Sequence, residues 1–221
     1  MGLAPVSRLS KKDIIYLANN RCKHSHTYLN HYQCYLKENP HNEKTGVFDI
    51  ECSNLAANFG IIFCYAILHL ETGKVSTRTI TKKELSKELD KNLVRQCVED
   101  LKKYTRVITY YGTGFDIPFV RTRALRWGIP FIPYGELNHK DLYYVVKRKL
   151  RLHKRSLEVA CNTVLGRTQK TRFDPEYWTR ALQGDRRSLD YITNHCIYDV
   201  KDTADLAVAL EPFTITRSTS I

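Results

Sequence analysis

The alternation of apolar and polar positions changes character along this chain, and each change marks an element. From Gly46 the pattern has the two-residue period of strands: "GVFDIECS", then the apolar run "IIFCYAILHL" after Gly60, a turn at "ETGK", and the β-branched "VSTRTI". Short turns between three such runs predict an antiparallel meander. Leu85, Leu89, Leu93, Cys97 and Leu101 then recur every fourth residue, which predicts one helix over "KKELSKELDKNLVRQCVEDLKKY". It leads directly into another strand, "RVITYYG". Strand, helix and strand in that order form a crossover unit, so the later strand runs parallel to its partner and the sheet is mixed.

The rest of the chain reads as helical, in "IPFVRTRALRWG", "LYYVVKRKLRL", "SLEVACNTVLG" and "SLDYITNHCIYDVKDTADLAVAL". Residues 1–45 are polar, rich in tyrosine and histidine, with one short helical pattern in "SKKDIIYLANN". The expected organisation is an N-terminal Cys/His-rich appendage over residues 1–45, an α/β domain over 46–211 and a loosely held tail over 212–221.

Four carboxylates interrupt these patterns. Alternation along the first strand puts Phe48, Ile50 and Cys52 on one face and Asp49 and Glu51 on the other. That face is either an ordinary wet surface or half of a metal site. Asp116 follows a strand and two glycines, where the chain leaves the sheet edge to enter a helix, a usual home for a site residue. Asp199 falls on the stripe Ile192, Cys196, Asp199, Thr203, Leu206 and Leu210 that docks the last helix, so its charge is costly unless something positive meets it. Asp, Glu, Asp and Asp from separate elements can hold two divalent cations about 4 Å apart, the arrangement that clamps the attacking and leaving oxygens in phosphoryl transfer. Hard oxygen donors of this kind suit Mg²⁺ or Mn²⁺.

Composition adds a partner to this picture. The 221 residues, 43% hydrophobic, suffice for one full core. Lys plus Arg number 35 against 23 Asp plus Glu, a formal charge of +12 that points to a polyanion, most commonly nucleic acid. No apolar run reaches about 18 residues, and the first residues lack the apolar core of a secretory signal, so a soluble, cytoplasmic protein is expected. The Met-Gly start lacks Ser or Thr at the sixth position, which argues against myristoylation. Seven scattered cysteines do not make a disulfide framework.

Two clusters remain. "KRKLRLHKRS" carries Lys147, Arg148, Lys149, Arg151, Lys154 and Arg155 directly after Tyr143 and Tyr144; it is a solvated helix face or a phosphate-backbone contact. Arg121, Arg123 and Arg126 extend that surface, and Phe115, Tyr110 and Tyr111 are candidates to stack on a terminal base. The segment "RCKHSHTYLNHYQC" packs Cys22, His24, His26, His31 and Cys34 into thirteen residues. Two cysteines with a choice of histidines supply a tetrahedral set for one structural Zn²⁺, although the spacing matches neither a zinc finger nor a knuckle. Surface histidines with unpaired thiols are the plain alternative, and an HNH-type nuclease site a remoter one.

Taken together, "FDIEC", "YYGTGFDIPFVRTRALRWGIP" and "HCIYDVKDT" resemble, in order and spacing, the three exonuclease motifs of the DEDD superfamily of 3'–5' exonucleases. The middle motif is especially similar to proofreading domains of family B DNA polymerases and their stand-alone relatives. The resemblance covers residues 46–210. It implies a ribonuclease H-like fold, a mixed central sheet with its first three strands antiparallel and flanked by helices. It also implies that Asp49, Glu51, Asp116 and Asp199 are metal ligands. The family's third motif usually has Tyr four residues, or His five residues, before its last Asp; here those positions hold His195 and Asn194. His195, one helical turn from Asp199, is the candidate general base. The expected activity is metal-dependent hydrolysis at DNA 3' ends, by a stand-alone nuclease or a subunit of a replication or repair assembly. A non-catalytic nucleic-acid-binding module and a junction endonuclease on the same fold are the rivals.

Overall fold

A computed structural model describes residues 9, 11–39, 43–133 and 136–214. Its frame is a five-stranded sheet built from β1 (Thr45–Cys52), β2 (Ile62–His69), β3 (Val75–Thr79), β4 (Arg106–Thr109) and β5 (Asn138–Asp141). The order is β3-β2-β1-β4-β5; β1 pairs antiparallel with β2, β2 antiparallel with β3, and β1–β4 and β4–β5 are parallel. The meander and the crossover unit are therefore both present. The helices are α1 (Lys11–Asn19), α2 (Tyr32–Glu38), α3 (Lys82–Lys87), α4 (Lys91–Leu101), α5 (Asp116–Arg126), α6 (Leu142–Lys149), α7 (Leu157–Leu165), α8 (Pro175–Ala181) and α9 (Arg186–Leu210).

Register decides which helix covers which face. Glu51 pairs with Cys64 and Cys64 with Thr79, so these three share a face, and on it Thr79 meets Thr193 of α9 at 2.7 Å. Ile50, Tyr65 and Arg78 share the opposite face, where Tyr65 donates to Asp100 of α4 at 2.5 Å and Arg78 pairs with Glu84 of α3 at 2.6 Å. The sheet is thus a central layer between α9 and the α3–α4 pair. Both faces being covered, β2 is buried along nearly its whole length, which explains its unbroken apolar run.

The structure departs from the pattern of the sequence at several places. The single helix expected from Leu85 onward is broken between α3 and α4, where Leu89 takes a left-handed φ of 53°. The break delivers Asp90, fully buried, to Arg123 Nε and Nη2 (2.8 and 2.5 Å), Trp127 Nε1 (2.9 Å) and the Ile62 N–H (3.0 Å). Those four hydrogen bonds outweigh about 1–2 kcal/mol of left-handed strain. Arg123 is consequently buried and no part of a basic surface. β5 and α8 lie outside the predicted elements: the β5 residues "NHKD" have no apolar signal, and register with β4 alone makes them a strand. The helix through the basic run stops at Lys149, because Leu150 is extended; Arg151, Lys154 and Arg155 lie in the connection to α7.

A separate apolar cluster, Leu17, Cys22, Tyr28, Tyr32, Cys34 and Leu36, holds the N-terminal segment together. Residues 211–213 form a 3-10 turn, and in the tail Thr214 accepts from Lys140 Nζ at 2.9 Å, so residues 212–214 are held; the remainder of the tail lies outside the described residues. All seven cysteines are buried free thiols. Among the described residues no helix is long and apolar enough to cross a membrane.

Candidate active site

Three elements bring the four carboxylates together. β1 presents Asp49 and Glu51 to α9; α5 begins at Asp116, just past the C-terminal end of β4; and α9 carries His195 and Asp199 one turn apart. The loop ahead of Asp116 is fixed by Asp141, which accepts from the N–H groups of Tyr111 (2.8 Å) and Thr113 (2.9 Å). Tyr111 is left-handed there, with φ 66°. A Cβ on Gly112 would stand 2.4 Å from Thr109 Oγ1, so this first glycine of the turn has no substitute.

Two carboxylate oxygens in the cluster, Asp49 Oδ2 and Asp199 Oδ1, are buried and have no hydrogen-bond partner. Asp116 Oδ1 accepts from the Ile50 N–H at 3.1 Å. Burial, and then the charges of Asp116, Asp199 and Glu51, push the Asp49 carboxyl well above its usual range. Glu51 is raised well up by burial and by Cys64 and Asp199. Burial raises Asp116 to about 7. Negative groups so placed disfavour one another's charge unless a cation stands among them. Buried hard oxygens converging from three elements, two of them unpartnered, fit divalent ions of the Mg²⁺ or Mn²⁺ type. Ligand atoms of Glu51, His195 and Asp199 lie within 4.8 Å of one another.

The positive group that Asp199 required is Lys170, whose Nζ lies 2.8 Å from Asp199 Oδ2. Burial disfavours the ammonium, but Asp199, Asp49 and Glu51 outweigh it and raise its pKa. Neither Lys170 nor its neighbour Thr171 carried any periodic signal. The stripe position of Asp199 implied a cation without saying which. Asp202 explains their placing: fully buried, it accepts from Thr168 Oγ1 (2.6 Å) and from the Gln169 N–H (2.8 Å), which anchors the connection just before Lys170.

His195 is buried, as its helix position implies. Its Nδ1 lies 2.5 Å from Thr171 Oγ1, its Nε2 is 3.7 Å from Glu51 Oε1, and its ring stands edge-on to Trp178. Burial lowers its pKa, against the pull of Asp199.

A cavity of about 600 Å³ opens on the site, and Asp49, Asp199 and Lys170 share it with Tyr110, Tyr111, Tyr143, Lys154, Arg155, Ser156 and Leu157. Tyr111 and Tyr143 meet edge to face, centroids 4.9 Å apart, and the Tyr110 hydroxyl donates to the Arg155 carbonyl at 2.8 Å. Lys154 and Arg155 therefore join the carboxylates. Lys147, Arg148 and Arg151 are exposed outside this cavity, and Arg121 stands over the Phe131 ring at 5.3 Å. Phe115 packs against Phe119 and does not line the cavity. At the N-terminus, Cys22, His24, His31 and Cys34 form a second group of metal-ligating type, whereas His26 stands outside it.

A model of the RNase H superfamily matches residues 47–211. A DNA polymerase of Methanocaldococcus jannaschii is 27% identical over 135 residues, covering 51% of this chain and 8% of that protein. The family B DNA polymerase from the hyperthermophilic archaeon Pyrobaculum calidifontis shares the fold with a TM-score of 0.63 at 19% identity, over 77% of this chain and 25% of the polymerase chain. The chain thus spans a small part of either relative.

Proposed function

The chain belongs to the RNase H superfamily, and from that premise we propose that it is a metal-dependent 3'–5' exonuclease acting on single-stranded or frayed DNA ends. The observation that carries the proposal is the pair of buried, unpartnered oxygens, Asp49 Oδ2 and Asp199 Oδ1, beside a cavity walled by tyrosines and basic side chains. The similarity to DNA polymerases favours DNA over RNA.

Asp49, Glu51, Asp116 and Asp199 would hold two divalent cations, Mg²⁺ or Mn²⁺, which would supply a more acidic water and positive charge for the phosphate. His195 takes the proton of that water. Its Nδ1 is held against Thr171 Oγ1, which leaves Nε2 facing the carboxylates, 3.7 Å from Glu51 Oε1 and free to accept a proton from a water beside them. The water oxygen bonds to phosphorus, the bond from phosphorus to the 3' oxygen breaks, and a nucleoside 5'-monophosphate leaves. Lys170, whose Nζ lies 2.8 Å from Asp199 Oδ2 at the edge of the cavity, offers its ammonium to a non-bridging phosphate oxygen. Tyr110, Tyr111 and Tyr143 cradle the terminal nucleotide by stacking, while Lys154 and Arg155 hold the preceding phosphates.

The test is digestion of 5'-labelled and 3'-labelled oligonucleotides with Mg²⁺ or with EDTA. The expected result is a metal-dependent ladder of 5'-labelled fragments shortened from the 3' end. Nicking of closed circular DNA would assign a junction-type endonuclease instead, and binding without turnover a non-catalytic module.

A further inference from the structure

We propose that Cys22, His24, His31 and Cys34 bind one structural Zn²⁺, which ties together the N-terminal segment that is anchored at the end of the sheet remote from the carboxylates. The donor atoms of all four lie within 4.8 Å of one another. Three thiol–imidazole separations define the figure: Cys22 Sγ is 3.9 Å from His24 Nδ1 and 3.5 Å from His31 Nδ1, and Cys34 Sγ is 3.4 Å from His24 Nδ1. Zn–S and Zn–N bonds of their usual lengths at tetrahedral angles give an S···N edge of about 3.6 Å. The observed edges scatter about that value.

The chain delivers these donors in two pairs. Arg21 and Thr27 form a β-bridge, and between them a tight turn with left-handed Ser25 is closed by hydrogen bonds from Ser25 N to Cys22 O (2.8 Å) and Cys22 N to His26 O (2.9 Å). This turn offers Cys22 and His24. His31 is the N-cap of α2, yet its side chain makes no capping bond, and Cys34 follows it by one helical turn. Both imidazoles thus face the thiols through Nδ1. His26 is outside the set and packs edge-on against the His31 ring, with centroids 5.0 Å apart.

Energetics call for such a clip. The apolar cluster of this segment has only six buried members, two of them the cysteines themselves. A core so small gains much of its stability when a metal ties its chain together. Binding converts two thiols to thiolates and releases two protons, and four protein ligands leave no open position for chemistry. The module is anchored where the parallel strands begin: Gln33 accepts from Asn138 Nδ2 at the first residue of β5 (3.1 Å), and Glu43 pairs with Arg106 at the first residue of β4 (3.2 Å). Asp116 follows the opposite end of β4, and Glu51 lies near the opposite end of β1.

The inference does not depend on the nuclease reading, and its test is metal analysis of the full chain purified without added zinc. One Zn²⁺ per chain is expected, unchanged in Asp199→Asn and His26→Ala and lost in His24→Ala and Cys34→Ser. Because a ligand variant may unfold, Co²⁺ exchange into the wild-type chain supplies a second readout: an intense visible spectrum of tetrahedral cobalt with thiolate charge transfer. Well under one zinc per chain after reconstitution, a Cys22–Cys34 disulfide in thiol titration, or zinc lost in Asp199→Asn but kept in Cys34→Ser would each overturn the proposal.

Discussion

Replacing Asp116 by Asn tests whether the carboxylates are a cation site or merely buried acceptors. Asn keeps the volume and an oxygen for the Ile50 N–H, and removes only the charge. In the metal-free protein burial raises the Asp116 pKa from 3.8 to about 7. The stability that this carboxyl contributes is fully present below its unfolded value and is lost as pH rises through about 7, because the folded state binds the proton more tightly. The difference corresponds to roughly 4 kcal/mol at most for keeping the group ionised above pH 7. The amide must itself be buried, so the gain expected in Asp116→Asn is on the order of 1–3 kcal/mol.

Urea unfolding in EDTA measures this directly. The variant should match the wild type near pH 4, where Asp116 is protonated, and exceed it above pH 7. Mg²⁺ at about 1,000 times its Kd should reverse the order, since it adds roughly 4.1 kcal/mol to the chain that binds it. Exonuclease turnover should fall by at least roughly 100-fold, more than loss of an outer-shell partner costs. A variant less stable than the wild type at pH 8 in EDTA, or one with full turnover, would refute the cation-site reasoning.

Three further outcomes follow from the same geometry. His195→Ala should lower turnover by roughly 10²-fold or more with metal binding kept, and His195→Tyr should restore part of it, as steady-state kinetics and Mg²⁺ titration would show; near-wild-type turnover between pH 6 and 9 would remove the base role. Lys154→Ala with Arg155→Ala should flatten the plot of log affinity for a single strand against log salt by roughly 0.7 per lost phosphate contact, whereas Arg121→Ala, outside the cavity, should leave the slope unchanged. Asp90→Ala should cost about 3–5 kcal/mol in denaturant unfolding, because it strands Arg123 in the core; a cost below about 1 kcal/mol would mean the pair is not formed.

The sheet and four of its five strands were legible because burial on one or both faces writes a period into the sequence. β1 alternates visibly, and the apolar run of β2 marks a strand covered on both sides. β5 was not legible: its "NHKD" owes its conformation to the β4 edge and to Asp141, whose side chain caps α6 and holds the Tyr111 loop. The α3–α4 break was hidden for the opposite reason, since the leucine period runs straight through it and only the tertiary partners of Asp90 reveal it. At the site, the carboxylates and His195 could be read from spacing and from the resemblance. Lys170 and Thr171 could not, because a connection without periodicity gives no register from which to aim a side chain, and Asp202, though on α9, had no visible partner until that connection was placed.

Those three unreadable residues make α9 intelligible as a whole. His195, Asp199 and Asp202 occupy one inward stripe of that helix, where the pattern elsewhere demands apolar side chains, and each position costs stability unless it is met. The connection before α8 meets all three: Thr168 and Gln169 bind Asp202, Lys170 binds Asp199, and Thr171 binds His195. Consecutive residues thus descend the stripe from Asp202 to His195 while the helix numbering runs the other way. Asp202, the residue furthest from the other carboxylates along that stripe, fixes the strap; Lys170 and Thr171 then lie where a cation and a hydroxyl are wanted. A polar stripe that would weaken the docking of α9 in isolation becomes, with its strap, the element that sets the ammonium and the imidazole against the carboxylates of β1.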